Sequence, residues 1–234
     1  MRLKSLVMHG LVRLHLEPLV LGYWRLRGEP VDYLRGDRTA RFRKIYREGR
    51  WTGGDTDTES LSGPGSTIAA TSTLRRELPS VLTSLGATSL LDIGCGDFNW
   101  MSAVDLPCSY IGVDIVPEVI ERNIEDYSRV DRVFFVLDAV ADELPSADAA
   151  ICREVLFHLS LADAKALLRN LRATGARYLL ATSDPSVRFN ADIPTGAWRD
   201  VNLALKPYGL GQPMSVIPDS EGPNPRRVLG IWKL

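Results

Sequence analysis

Apolar and polar positions alternate in a strand–helix–strand order along most of the second half of the chain. Apolar runs of strand length occupy residues 89–94, 109–114, 133–138, 148–152 and 177–183. Stretches with helical periodicity separate them at 99–104, 117–127 and 161–173. This order predicts a doubly wound α/β fold, in which helices cover both faces of a mostly parallel sheet. Two further apolar runs after residue 214 flank a Pro/Gly/Asn turn and predict an antiparallel hairpin at the end of the sheet.

The first half of the chain has a different pattern. Residues 1–50 are helical in character, with interruptions near Pro18, Gly28 and Pro30, and 51–67 form a loop rich in Gly, Ser, Thr and Asp. Helical periodicity resumes over 68–85. The apolar residues at the start fall on one side of a helix, which predicts an amphipathic helix: Leu3, Leu6, Val7, Leu11 and Leu14.

Charge is also distributed unevenly along the chain. Residues 1–50 carry 12 Lys/Arg against 5 Asp/Glu, whereas the remainder carries 16 against 24. A basic arm on an acidic body suits an anionic partner such as a membrane surface. The alternatives are packing on the chain's own acidic body or on a second subunit, as in a homodimer. His9, Arg13 and Glu17 interrupt the apolar start, so neither a membrane span nor a signal peptide is expected.

The three cysteines, Cys95, Cys108 and Cys152, lie in or beside predicted strands and lack metal-ligand spacing. We interpret them as reduced core thiols, which favours a cytoplasmic protein. No cluster of acids and histidines has a spacing that demands a metal, and no metal site is predicted.

The stretch "LLDIGCGDFNW", residues 90–100, places a glycine turn directly after a buried strand. Gly94 and Gly96 allow a tight turn and a close approach of a ligand to the backbone. A dinucleotide site usually has a third glycine, but Asn99 stands there, and Asp97 would repel a pyrophosphate. The turn therefore favours a cofactor with a cationic amino acid end.

Two more acids end the next predicted strands. Asp114 follows the glycines by about 20 residues, where a carboxylate takes both ribose hydroxyls. Asp138 ends the third strand, where it would accept a hydrogen bond from an adenine amino group. Each acid alone is more often a helix cap or a solvated strand end, but their joint spacing favours cofactor binding.

With "LLDIGCG", Asp114, "LDAV" and "ADAAICREVLFHLS", residues 85–234 resemble the class I S-adenosylmethionine-dependent methyltransferases. The resemblance implies a Rossmann-like seven-stranded sheet whose last strand is antiparallel, with S-adenosylmethionine as the cofactor. It assigns cofactor contacts to Asp92, Gly94, Gly96, Asp114, Ile115, Asp138, Ala139 and Arg153.

A narrower likeness rests on "YREGRWTGGDTDTESLSGPGST", "CREVLFHLS", "GAWRDVNL" and "LGIWKL". These resemble bacterial methyltransferases associated with glycan or secondary-metabolite biosynthesis, in which the segment before the glycine motif closes over the cofactor. The likeness implies an N-terminal extension with a covering loop over 1–67 and a methyltransferase domain over 68–234. Trp51, Ser62, Gly63 and Ser66 become candidate covering residues, and a plain surface loop is the alternative.

Methyl transfer to a hydroxyl needs a base, and groups after the fourth strand face the methyl in this fold. His158 is the one histidine outside the N-terminal arm and is the candidate base, with a structural hydrogen bond as its alternative. Arg153 and Glu154 are candidates to bind a polar acceptor or to form a salt bridge.

The segment 184–213 is long for a connection, and long connections are usually functional or disordered. Its mixture of aromatic residues, such as Trp198, with polar ones suits a sugar or polyol and equally a lid. The acidic body argues against nucleic acid as a substrate. The sequence thus predicts an enzyme that O-methylates a sugar, glycan precursor or similar polar product. A methyltransferase of a non-sugar metabolite and a non-catalytic cofactor-binding protein remain as alternatives.

Overall fold

The computed structural model of the protein describes residues 3–14, 16–55 and 58–234. The described part of the N-terminal arm contains three α-helices, α1 at Leu3–Arg13, α2 at Glu17–Leu26 and α3 at Arg38–Arg47, and a 3₁₀ turn at Asp32–Leu34. Asp37 caps α3, because its carboxylate accepts a hydrogen bond from the Ala40 backbone N–H at 2.8 Å. Helix α4, at Ser72–Ser84, leads from the arm and its following loop into the sheet.

The sheet has seven strands in the order β3-β2-β1-β4-β5-β7-β6. The strands are β1 Ser89–Ile93, β2 Ser109–Asp114, β3 Arg132–Val136, β4 Ala149–Cys152, β5 Tyr178–Ser183, β6 Ser215–Pro218 and β7 Val228–Lys233. The first five are parallel, and β7 pairs antiparallel with both β5 and β6. The predicted α/β architecture with an antiparallel C-terminal hairpin is confirmed. Strand order reverses between β1 and β4, which is where ligands bind in such sheets.

The crossover helices are α5 at Asn99–Ser102, α6 at Pro117–Tyr127 and α7 at Leu161–Ala173. Pro117 is the first residue of α6, where its missing N–H costs no hydrogen bond. Ser160 caps α7 by accepting a hydrogen bond from the Asp163 backbone N–H at 3.1 Å. One expectation was wrong in detail: β3 ends at Val136, so Asp138 lies two residues beyond the strand.

Successive residues of β1 bury their side chains on opposite faces of the sheet. Leu91 packs in a cluster with Leu167 and Leu171 of α7, whereas Leu90 packs in another cluster with Leu74 of α4. The strand period of two therefore produces two core layers, one on each face. Cys95 and Cys152 are buried and Cys108 is half-buried, and all three are free thiols.

The arm packs on its own body, which is one of the alternatives expected from its charge. The Asp192 backbone N–H donates to Nδ1 of His9 at 3.0 Å, and Arg43 pairs with Glu118. A small apolar cluster joins Leu34 of the arm to Ile193 of the body. Among the described residues no helix is long and apolar enough to cross a membrane. The side chain of Leu3 and the whole of His15 lie outside what the structure describes.

Candidate functional site

The glycine turn after β1 forms the floor of the site. Gly94 and Gly96 have φ values of +74° and +57°, which side chains rarely tolerate. A Cβ atom on Gly94 would overlap Val155, and one on Gly96 would overlap the Ser62 hydroxyl. Glycine is therefore required at both positions by conformation and by space. The turn is fixed by the Gly94 N–H, which donates to the carbonyl of Val113 at 2.8 Å.

Two buried carboxyl groups lie beside this turn. The Tyr110 hydroxyl donates to Asp92 at 2.8 Å, and the Gly96 and Val116 backbone N–H groups donate to Asp114 at 3.1 and 3.0 Å. Burial raises the pKa of Asp92 to about 7 and that of Asp114 to about 6. Buried acids with raised pKa values are poised to gain from a cationic ligand, because a positive charge favours their ionised form.

Asp138 has a partner that the sequence reasoning missed. Its carboxylate pairs with the guanidinium of Arg38 on α3, at 2.7 Å for the closest contact, and also accepts the Val140 backbone N–H at 3.0 Å. A carboxylate has about four acceptor positions, so these contacts leave room for a further donor. Ile115 and Ala139, which are predicted cofactor contacts, also line the cavity.

The loop before α4 folds over the glycine turn. The Asp97 carboxylate accepts hydrogen bonds from the Ser60 hydroxyl at 2.9 Å, the Leu61 N–H at 2.6 Å and the Ser62 hydroxyl at 2.9 Å. The Ser62 and Tyr46 hydroxyls are 3.0 Å apart. A plain surface loop is excluded for this part of the chain, since Ser60 and Ser66 are buried. Asp97 thus holds the loop, a role that the sequence did not indicate.

These elements enclose a cavity of about 380 Å³, within the range of small-molecule sites. Trp51, Ser62, Gly63 and Ser66 of the covering loop all line it. The ring of Trp51 packs against Tyr46 at 5.0 Å and His158 at 5.2 Å. The cavity lining includes all of the predicted cofactor residues: Asp92, Gly94, Gly96, Asp114, Ile115, Asp138, Ala139 and Arg153.

Arg153 is held in a structural ion pair. Its guanidinium donates to both oxygens of Asp219, at 3.0 and 2.9 Å, and to the carbonyl of Gly65 at 2.8 Å. Both side chains are almost fully buried, at 4% and 1% exposure. Of the roles expected for Arg153, which were a cofactor contact, acceptor binding and a salt bridge, the structure shows the salt bridge. It joins the end of β4 to the residue after β6, and the Gly65 hydrogen bond joins it to the covering loop.

Glu154 lies at the cavity wall with an uncommon backbone. Its φ of +58° is strained for a residue with a side chain, and such strain clusters at functional sites. Its carboxylate accepts a hydrogen bond from Arg227 at 2.8 Å, and Arg227 also pairs with Asp200 at 3.1 Å. The Arg227 guanidinium lies 5.6 Å from the ring of Trp198, which is more than half exposed at the cavity edge.

His158 lines the cavity with one ring nitrogen already engaged. Nδ1 lies 2.9 Å from the carbonyl oxygen of Ala197. A carbonyl only accepts, so Nδ1 carries the proton and Nε2 is the acceptor nitrogen of the neutral ring. Burial lowers the pKa of His158 to about 4, so the ring is neutral at physiological pH. The structure shows the structural hydrogen bond expected as one alternative for His158, and the role of its unprotonated Nε2 as a base stays a prediction.

Helix α3 supplies cavity residues that the sequence reasoning missed. Arg38, Phe42 and Tyr46 recur at intervals of four and line the cavity from one side of the helix. That spacing is a visible signal, but only the glycine motif and the position of the cavity give it meaning. Among residues 3–14, 16–55 and 58–234, no group of three or more His, Cys, Asp or Glu side chains is arranged to hold a metal ion.

Known proteins match the segment that forms this floor. Residues 91–175 match a family described as a methyltransferase domain. A ubiquinone biosynthesis O-methyltransferase of Xanthomonas oryzae pv. oryzae (strain PXO99A) is 30% identical over 129 residues, which cover 51% of this chain and 53% of that protein. The protein of the same name from Xylella fastidiosa (strain M23) is 27% identical over 163 residues, 65% and 64% of the two chains. The chain thus spans about half the length of the first of these relatives.

Human N-acetylserotonin methyltransferase in complex with SAM is 21% identical, with a TM-score of 0.49 over 69% of this chain and 44% of that chain. The sheet order and the glycine turn agree with the match of residues 91–175 to the methyltransferase domain. The match to a methyltransferase domain thus runs from Leu91 in β1 to Gly175 after α7 and includes the glycine turn.

Proposed function

We propose that the protein binds S-adenosylmethionine and methylates a hydroxyl group of a small molecule. When bound, this cofactor supplies an electrophilic methyl group on a sulfonium. The residues at the sheet switch point suit it: Asp114, a buried acid that accepts the Gly96 N–H, would hold the ribose hydroxyls, and Asp92 is a buried acid close to the glycine turn. The cavity of about 380 Å³ lies against the glycine turn, and its volume suits a small-molecule ligand.

The proposal that the methyl acceptor is a hydroxyl group rests on His158. Its Nδ1 proton is directed at the Ala197 carbonyl, so Nε2 is available as the proton acceptor for a hydroxyl. The carbonyl also fixes the ring orientation, as a base in a displacement reaction requires. The covering loop, with Trp51 against the His158 ring, would keep water away from the reacting groups.

The pKa of His158 bears on which hydroxyl is methylated. With a pKa of about 4 the ring is a weak base, and a weak base removes a proton most readily from an acidic hydroxyl. A phenol, whose pKa is about 10, is easier to deprotonate than an aliphatic alcohol. Together with the aromatic walls from Trp51, Phe157 and Phe42, this favours a phenolic acceptor. The names of the O-methyltransferase relatives are consistent with it.

A sugar, glycan precursor or similar polar product is the second candidate. Trp198 is exposed at the cavity edge beside the Arg227 ion pairs with Glu154 and Asp200. An aromatic face among charged side chains is a common arrangement for polyols. In this alternative Glu154 would contact the acceptor hydroxyls.

The test is methyl transfer from labelled S-adenosylmethionine to matched panels of catechols and phenols, and of sugars and nucleotide sugars. We expect label on a phenolic oxygen, located by mass spectrometry. Transfer to sugars alone would refute the phenolic assignment, and binding of the cofactor with transfer to neither panel would favour the non-catalytic alternative.

A matched pair of variants tests the base. His158→Asn keeps a donor for the Ala197 carbonyl but removes the acceptor nitrogen, and we expect kcat to fall by about 10²-fold or more with cofactor affinity retained. His9→Ala is the control, because His9 lies on α1 outside the cavity and also hydrogen-bonds the backbone. If His158→Asn turned over like the wild type, His158 would not be the base.

A further inference from the structure

The outer side of the arm is apolar where it meets solvent. On α2, Leu19 and Leu26 are separated by two helical turns and are 58% and 89% exposed. The opposite side of the same helix packs inward through Val20 and Trp24. A helix with apolar side chains all round is normally covered all round. Helix α2 is covered on one side only.

Helix α1 continues the pattern. Leu6 and Val7 are exposed on α1, and Leu14, just beyond its last turn, is 69% exposed. The amphipathic face predicted from the sequence therefore points outward at these three positions, and His9 makes the inward contact with Asp192. We refer to Leu6, Val7, Leu14, Leu19 and Leu26 as the outer apolar residues.

Basic side chains flank the outer apolar residues. Arg13 ends α1, and Arg25 and Arg27 lie at the end of α2, where Arg25 pairs with Asp32. Residues 1–50 carry 12 Lys/Arg and 5 Asp/Glu, which is a basic excess of 7. The rest of the chain carries 16 Lys/Arg and 24 Asp/Glu, which is an acidic excess of 8. The charge distribution would therefore direct the arm toward an anionic surface and the body away from it.

We infer that the outer apolar residues dock on an anionic lipid surface. Exposed leucines beside arginines have the character of an interfacial helix, whose apolar side enters the headgroup boundary while its basic residues meet lipid charges. At 11 and 10 residues, α1 and α2 are too short to cross a bilayer, so they would lie along it. A second copy is disfavoured as the occupant, because a symmetric contact would bring two basic arms together.

The experiment is sedimentation of the full chain with vesicles, in phosphatidylcholine alone and in phosphatidylcholine mixed with phosphatidylglycerol. We expect binding to the mixed vesicles, with each arginine that contacts lipid contributing about fivefold, and a marked loss in high salt. The variant Leu19→Glu/Leu26→Glu should bind about tenfold more weakly or worse. Val130→Glu is the control, because Val130 is fully exposed before β3 and outside the arm.

Thermal unfolding separates lost docking from lost folding, since both leucines are exposed and their replacement should leave Tm unchanged. Equal binding to both vesicle types, no binding, or full binding by the double variant would each overturn the inference. So would a dimer in vesicle-free solution that the double variant dissociates. None of these outcomes depends on methyl transfer, so the result stands apart from the proposed function.

Discussion

The buried pair between Arg153 and Asp219 gives the sharpest test of how the site is held together. Replacing Arg153 by Met removes three hydrogen bonds, two to the Asp219 carboxylate and one to the Gly65 carbonyl. The Asp219 side chain is only 1% exposed, so water cannot replace the lost partner. Removing one member of such a pair costs about 3–5 kcal/mol of the free energy of unfolding.

That cost should depend on pH, and the sign follows from proton binding. Burial already raises the pKa of Asp219, against the lowering effect of Arg153, so removing the arginine raises the pKa further. In the variant, folded Asp219 keeps a proton that the unfolded chain releases above pH ~4. Stability of the variant relative to wild type therefore falls as pH rises from about 5 to 8, by at most about 1.4 kcal/mol per pH unit.

The assay is urea unfolding of wild type, Arg153→Met, Asp219→Asn and the double variant at pH 5 and pH 8. For a chain of 234 residues, a loss of about 3–5 kcal/mol corresponds to a decrease in Tm of roughly 6–20 °C. The double variant should be more stable than the sum of the single losses implies, with a coupling energy of about 1–3 kcal/mol. Additive losses without a pH dependence would show that Arg153 and Asp219 do not act as a pair.

Two further predictions concern the floor of the site. Gly96→Ala should weaken S-adenosylmethionine binding by about tenfold or more in calorimetry, because its Cβ would displace Ser62. The control is Gly86→Ala: Gly86 also has a positive φ, but a Cβ there would meet open space, so affinity should be unchanged. Equal losses in both would point to backbone strain instead. Since the pKa values of Asp92 and Asp114 are raised to about 7 and about 6, the unliganded protein should lose stability as pH rises from about 4 to 7, and affinity for the cationic cofactor should rise over the same range. A flat profile in both measurements would refute the assignment of these acids.

Local sequence patterns were sufficient to predict the sheet, because each strand has its own run of apolar residues. Leu90 and Leu91 point to opposite core layers, as strand periodicity requires, and helix α6 begins at Pro117 because proline is compatible with that position. The end of β3 was misjudged, since apolar residues continue to Leu137 although the ladder ends at Val136. Hydrophobicity predicts burial, whereas the strand end depends on pairing with β2, which a single sequence does not specify.

The chemistry of the site depends on partners that are distant in sequence, and this limits what its motifs can predict. Arg153 and His158 both follow β4, and from the sequence His158 is the candidate base whereas Arg153 is a candidate to bind the acceptor or to form a salt bridge. They are distinguished by Asp219, 66 residues after Arg153, and by the Ala197 carbonyl, 39 residues after His158. Asp219 pairs with the Arg153 guanidinium inside the fold, whereas the Ala197 carbonyl places the His158 proton on Nδ1 and leaves Nε2 as the acceptor. We therefore expect proton acceptance in this cavity at Nε2 of His158. Arg153, through its hydrogen bond to Gly65, holds the covering loop, and Trp51 of that loop packs against the His158 ring.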